Sequence, residues 1–305
     1  MIQDTKPYKL MNQYRPKAAD GDSRLLIFRS KEVLCRTEGE LLIFPTAGEL
    51  VLEYQNTGKT SPELRYLFSI GPEDFFMPAE IWDPEDAKLL GTRDPQDASA
   101  KAADLLAGSW QFTNINNIRE LLPMENVLAA ATGWHLAWWY RQNQRCGICG
   151  HVMEHDPALR ALKCPECGNM VFPKIQPAVI VGVRNGDKLL MTKYAGRAFT
   201  HYALVAGFAE IGETIEETVA REVMEETGVK VKNITYYASQ PWGFDADLLM
   251  GFYCDLDGSE QISMDDGELA AAEWIDRANV PLRSDTLSLT SFLINQFREG
   301  KDKDR

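Results

Sequence analysis

A chain of 305 residues with 45% apolar composition suggests two or three globular domains with ordinary cores. Its formal net charge of -13 argues against a non-specific grip on long nucleic acid, where Lys and Arg supply the affinity, but leaves open a nucleic acid read at one terminal nucleotide. The opening stretch MIQDTKPYKLMNQYRP has no apolar signal region, and the most apolar helical stretch, Val127 to Tyr140, is too short for a membrane span and is interrupted by His135. The expectation is no membrane and a cytoplasmic location.

From Arg24 to about Pro78, runs such as RLLIFR, EVLCRT, ELLIFP and LRYLFSI alternate with Gly, Pro and charged residues, which predicts a mostly β segment. The periodicity then turns helical over Ala98–Leu106, Ile118–Leu122 and Met124–Gln144. Trp134, Trp138 and Trp139 lie on or near one face of the last, where a packed core or a subunit contact explains them better than a stacking site. Residues 1–122 are expected to form a mixed α/β domain, with no motif whose chemistry is legible.

Residues 123–175 read as a linker helix and a zinc ribbon. Cys146, Cys149, Cys164 and Cys167 form CGIC and CPEC with 14 residues between the pairs, each pair followed by glycine. Two tight knuckles bring four thiolates to one ion, and four thiolates leave no open position, so one structural zinc per subunit is expected. Two disulfides are the alternative, but a cytosolic chain of this size has neither the compartment nor the need. His151 and His155 read as polar surface residues, and Cys35 and Cys254 as apolar strand positions.

Residues 176–305 are sized for one α/β domain. FPKIQPAVIVGVRNGDKLLMTKY predicts a strand, a turn at Asn185-Gly186-Asp187 and a second strand, with His201 on a strand leading to the next motif. That motif is GFAEIGETIEETVAREVMEETGV, residues 207–229. Thr214 and Glu217 make a capping box and Gly228 a left-handed stop, so a helix of about three to four turns is bracketed, with Ile215, Val219 and Val223 as its buried stripe. Glu222, Glu225 and Glu226 project within one arc of roughly 100°. Like charges at that spacing repel, and a hard divalent cation, Mg2+ or Mn2+, is the simplest compensation. Gly207 and Gly212 would let backbone groups approach the same cation or a phosphate, and Arg221 reads as the residue that orients the glutamates. A solvated acidic face is the plain alternative for any glutamate run. The charged end, Lys301 to Arg305, reads as a tail.

The spacing Gx5Ex7REUxEExGU, complete with Val223 and Val229 at the apolar positions, resembles the box of the Nudix hydrolase family. About ten residues beyond the helix, Ser239-Gln240-Pro241-Trp242-Gly243-Phe244, followed by Asp245-Ala246-Asp247, is similar to the SQPWPFPxS signature of the NAD(H) diphosphatases in that family. With the ribbon before the box, the resemblance spans Cys146 to the C-terminus. Gly243 and Asp245 stand where the signature has prolines, and Asp247 where it has its last serine, which loosens the loop and adds two carboxylates beside the substrate.

The resemblance implies an α/β/α sandwich with a mixed sheet, preceded by the ribbon and the N-terminal domain. It implies Glu222, Glu225 and Glu226 as catalytic and metal-binding residues, joined by the backbone carbonyl of Ala206 and by Glu268. Gln240, Pro241, Trp242, Gly243, Phe244, Asp245, Ala246 and Asp247 would line the dinucleotide pocket. Phe208 and Phe172 would sandwich a base, Phe172 from the partner subunit of a homodimer. The implied reaction is hydrolysis of the diphosphate of NADH or NAD+, extending to NAD caps on RNA. ADP-ribose or dinucleoside polyphosphates are the alternative substrates, and a zinc-ribbon regulator that only senses a nucleotide is the alternative from another class.

Overall fold

The computed structural model describes residues 1–58, 60–79, 106, 108, 110–196, 201–264, 267, 269–285 and 287–303. The chain divides into two compact units, one formed by Gln3–Lys174 with Gly243–Asp245, the other by Met1–Ile2, Ile175–Trp242 and Ala246–Arg305.

In the N-terminal unit, β1 (Leu10–Met11), β6 (Leu64–Ile70), β7 (Glu73–Pro78) and β2 (Arg24–Leu25) form one sheet in that order. A second sheet runs β3 (Phe28–Arg29), β4 (Glu32–Glu38) and β5 (Leu41–Ile43), with β8 (Gln111–Asn114) on β4. Helix α1 (Ala47–Asn56) interrupts the expected run of strands. The Thr46–Glu49 capping box starts it, and Ala47, Leu50 and Tyr54 turn one face into a core with Leu25, Ile27 and Phe76. Cys35 is buried on β4, as its apolar surroundings suggest.

Of the expected helix Ala98–Leu106, residues 98–105 lie outside the described residues. Ile118–Leu122 is not helical: it is a turn ending where Leu122 bridges Leu41, and Pro123 disfavours helical backbone at the residue before it. Helix α2 (Met124–Gln142) follows, with Val127–Ala131 buried as a continuous run. Trp134 and Trp139 are core residues, whereas Trp138 is 38% exposed. Beyond α2, β9 (Glu154–His155), β10 (Leu162–Lys163) and β11 (Met170–Val171) make the small antiparallel sheet of the ribbon.

The C-terminal unit is built on a mixed sheet, β15 (Val231–Trp242), β16 (Asp247–Leu256), β12 (Gln176–Asn185), β13 (Lys188–Tyr194) and β17 (Leu269–Asp276), with β14 (Val205–Phe208) also on β12. β12 and β16 are parallel and the other pairs antiparallel. Side chains alternate across β12. Val179, Val181 and Val183 pack on Val219 and Val223 of α3 (Ile215–Thr227), while Ile180 faces the cluster of Leu289, Leu293 and Phe297 from α4 (Leu289–Arg298). A helix on each face of a mixed sheet is the α/β/α sandwich that the resemblance implies.

His201 lies in a bend ahead of β14, not on a strand. Of the charged end, residues 301–303 are described, and Asp302 is not free. Asp302 is 5% exposed and accepts from Arg184 (3.2 Å) and Arg277 (2.8 Å), adding a buried counter-charge to two guanidinium groups that also pair with the more exposed Asp255 and Asp187.

Candidate active site and metal centre

Helix α3 is capped reciprocally, Thr214 Oγ1 accepting from the Glu217 amide and the Glu217 carboxylate accepting from the Thr214 amide (2.7 Å). It ends at Gly228 with φ 70°, whose amide donates to Met224 O (2.9 Å). Glu216 and Glu217 in its first turn suit the positive end of the helix dipole. Glu225 and Glu226 sit at the opposite end, where the dipole disfavours them and no basic residue compensates within the turn. Glu225 is offset by Arg221 one turn back (2.9 Å), whereas Glu226 gains nothing from the helix end.

Arg221 gathers the acids. Its Nε and Nη2 donate to Glu213 (2.6 and 2.9 Å), Nη1 donates to Glu222 (2.8 Å) and Glu225 (2.9 Å), and Nη2 also donates to the carbonyl of Phe208 (2.9 Å). The bidentate bond from Arg221 holds the Glu213 carboxyl down at about 2, helped by the Glu210 amide and the Thr218 hydroxyl. One guanidinium thus ties the loop before α3, the end of β14 and the exposed face of α3 into one piece.

β14 runs against α3 through Gly207. A Cβ added there would lie 2.0 Å from Glu222 Cδ and 2.2 Å from each carboxylate oxygen, so the glycine is required by the close approach of that side chain. Glu226 is 2% exposed. The hydroxyl of Tyr194, on β13, lies 3.4 Å from Glu226 Oε1 and 3.5 Å from the carbonyl oxygen of Ala206, two long contacts that place carboxylate and carbonyl around one phenol. Sequence reasoning misses Tyr194, because no local pattern marks it: only the β13–β17 bulge between Lys193 and Tyr194 turns it to this side. Phe208 is 53% exposed at the end of β14. Glu268 lies outside the described residues.

The Glu222 and Glu225 carboxylates, joined through Arg221 Nη1, and the buried Glu226 carboxylate and Ala206 carbonyl, joined through the Tyr194 hydroxyl, offer only oxygen donors. Such a set fits a hard divalent cation and suits neither zinc nor copper as well.

The SQPW segment is the end of a strand, not a loop: Gln240, Pro241 and Trp242 pair with Leu249, Leu248 and Asp247 of β16. Gln240 is fully buried, its amide donating to Leu287 O and accepting from the Leu289 amide, both 2.7 Å, so it anchors the entry to α4 instead of lining a pocket. Pro241 is exposed and Trp242 half-buried. Gly243, Phe244 and Asp245 belong to the N-terminal unit. A Cβ on Gly243 would lie 2.3 Å from Ala131 O, the buried Phe244 ring faces the Arg119 guanidinium at 5.3 Å, and Asp245 accepts from Lys31 (3.0 Å). Ala246 takes φ 67°, and Asp247, 8% exposed, accepts from Gln176 (3.4 Å).

In the ribbon the four sulfurs lie within 4.8 Å of one another, with Sγ pairs at 3.4 to 3.5 Å. Those separations exclude disulfides and are near the roughly 3.8 Å edge of a tetrahedron with Zn–S bonds of about 2.3 Å. The two knuckles are alike: Gly150 and Gly168, at φ 78° and 74°, donate to Cys146 O (2.9 Å) and Cys164 O (3.0 Å). The Ile148 amide (3.4 Å) and Asn169 Nδ2 (3.6 Å) point at Cys146 Sγ, stabilising a thiolate. His151 is exposed and stands off the cluster. His155 is not a surface residue: it is half-buried against Tyr140 (ring centroids 5.0 Å) and accepts from Arg65, and burial pushes its pKa down to about 3. Phe172, just beyond Val171, is 57% exposed.

The NUDIX domain family model matches residues 174–292. The chain is 36% identical over 215 residues to the NAD-capped RNA hydrolase NudC of Photorhabdus laumondii, covering 66% of this chain and 83% of that protein. It is 40% identical to NudC of Erwinia tasmaniensis over 184 residues, 60% of this chain and 70% of the relative, and 39% identical to NudC of an Enterobacter species over 216 residues, 67% and 83%. The chain belongs to the Nudix hydrolase family, in the group of these NudC proteins.

Proposed function

We propose that the chain hydrolyses the diphosphate bridge of NADH and NAD+, giving the nicotinamide mononucleotide and AMP, and removes the same cap from NAD-capped RNA. The packing of the Glu222 carboxylate into the space left by Gly207, within a chain 36% identical to NudC over 215 residues, carries this. One water is consumed: its oxygen ends on one phosphorus and the bridging oxygen leaves with the other phosphate.

Glu222, Glu225 and Glu226, with the Ala206 carbonyl and Glu268, are the donors for Mg2+ or Mn2+. When bound, these ions would offset the negative charge of the non-bridging diphosphate oxygens and acidify a water. A carboxylate oxygen of a box glutamate or of Glu268 takes the proton of the attacking water. Arg221 holds Glu222 and Glu225 against relaxation away from the site. Phe208, and Phe172 of the partner subunit in a homodimer, stack a base, and Trp242, Ala246 and Asp247 border the dinucleotide. Zinc on the four cysteines is structural, and a reducing cytoplasm suits free thiolates. Within this reading 1–122, 123–175 and 176–305 are the N-terminal, ribbon and catalytic segments.

Steady-state rates with NADH, NAD+, ADP-ribose and diadenosine polyphosphates, with and without Mg2+ or Mn2+, test the assignment. A metal-dependent kcat/KM highest for NAD(H) supports it, and preference for another substrate removes the NAD(H) assignment while keeping the chemistry.

A further inference from the structure

The N-terminal unit holds a cavity of about 420 Å³ that the proposed hydrolysis does not use. This is the size of a small-molecule site, in the ~300–1,000 Å³ range. One wall is aromatic. The rings of Trp134 and Trp138 stack with centroids 5.4 Å apart and planes 27° from parallel, and Phe28 meets Trp134 edge-on at 5.9 Å. Trp134 is thereby fixed, while Trp138, 38% exposed, keeps a planar surface open.

The other side carries charge. Arg65 and Arg141 both line the cavity, and among the described residues no carboxylate stands within ion-pair distance of either. Arg65 is half-buried: its guanidinium donates to His155 Nε2 and lies over the Tyr140 ring at 5.2 Å. Its nearest fixed neighbours are a neutral imidazole and an aromatic face, with Glu63 acting on it only beyond ion-pair distance, and burial, the largest effect, lowers its pKa, the sign of a cation short of solvent. An anion is the group that would complete it, and a guanidinium fork is matched to phosphate. Glu63 and Glu154, also on the lining, are exposed acceptors suited to hydroxyl or amine donors.

We propose that this cavity is a second ligand site, for a nucleoside monophosphate: Trp138 stacks the base, Arg65 and Arg141 take the phosphate, and the two glutamates accept from sugar hydroxyls or an exocyclic amine. It lies wholly on residues of the N-terminal unit and does not depend on the reaction assigned to the other.

The test is calorimetric titration of the full-length, zinc-loaded protein with AMP in buffer free of Mg2+ and Mn2+, with adenosine as the phosphate-free control. AMP should bind once per chain and at least tenfold more tightly than adenosine. Trp138→Ala and Arg65→Gln should each weaken AMP at least tenfold, while Glu222→Gln leaves it unchanged. Trp138→Ala, at a half-exposed position, guards against misfolding in the Arg65 variant, and its kcat on NADH should match the parent. Absence of AMP binding at millimolar concentration, equal binding of adenosine, or binding indifferent to Trp138→Ala in a folded protein would overturn the proposal.

Discussion

The carboxylate of Glu222 occupies the volume that a side chain at Gly207 would fill, with both oxygens 2.2 Å from where a Cβ would stand. The first glycine of the box and its first helical glutamate are therefore one feature, a strand opened at a single residue so that an acid on the neighbouring helix can lie against its backbone. Gly207→Ala should displace Glu222 and break its bond to Arg221. Because displacement by about 1 Å can cost on the order of a hundredfold in rate, kcat should fall by about that factor, with about 1–3 kcal/mol lost in stability from overpacking. Rates with NADH beside urea unfolding check both; unchanged kcat would show that the position of Glu222 is not critical.

Glu222→Gln and Glu226→Gln keep shape and remove charge. Each should lower kcat by about two or more orders of magnitude, in line with the loss of a charge-stabilising group. Each should also weaken Mn2+ binding, read independently by electron paramagnetic resonance. Near-normal turnover with unaltered metal dependence would remove these residues from the mechanism.

Cys164→Ser takes one thiolate from the cluster. Zinc content, measured by atomic emission, should drop well below one per chain, and hydrogen exchange should rise across β9, β10 and β11 before the amides of α3 are affected. A variant that keeps its zinc and its protection would show that the ribbon does not depend on all four cysteines.

His155 supplies a pH dependence. Its pKa is depressed to about 3 by burial, with the positive Arg65 adding to the effect, against an ordinary value of 6.5. The unfolded chain therefore binds more protons between these values. The stability associated with a neutral His155 is fully present above about 6.5 and is lost progressively as pH falls toward 3. Compared with His155→Gln, the parent should lose stability more steeply from pH 6.5 to 4.5 in urea titrations. Parallel curves would contradict a buried neutral imidazole.

Much of the catalytic unit was legible because its signals are local. Thr214, Glu217 and Gly228 bracket α3 within a single segment, and two CxxC knuckles imply one ion by spacing alone. α1 was missed within the segment read as mostly β, because the apolar run ELLIFP just before it masked the Thr46–Glu49 capping box and the change of period. What could not be read depends on long-range contacts. Nothing near Gln240 says that its amide meets Leu287 and Leu289, some fifty residues on, and nothing near His155 points to Arg65. Tyr194 reaches Ala206 and Glu226 only after three strands and a helix are in place.

The most direct measurement is hydrolysis of NADH in water enriched in oxygen-18, with Mg2+ or Mn2+, followed by mass spectrometry of the products. AMP and reduced nicotinamide mononucleotide, with one heavy oxygen on one of the two phosphates, are the predicted result. Free nicotinamide with an intact ADP-ribose diphosphate, or no metal-dependent product, would contradict diphosphate hydrolysis by the Glu222, Glu225 and Glu226 cluster.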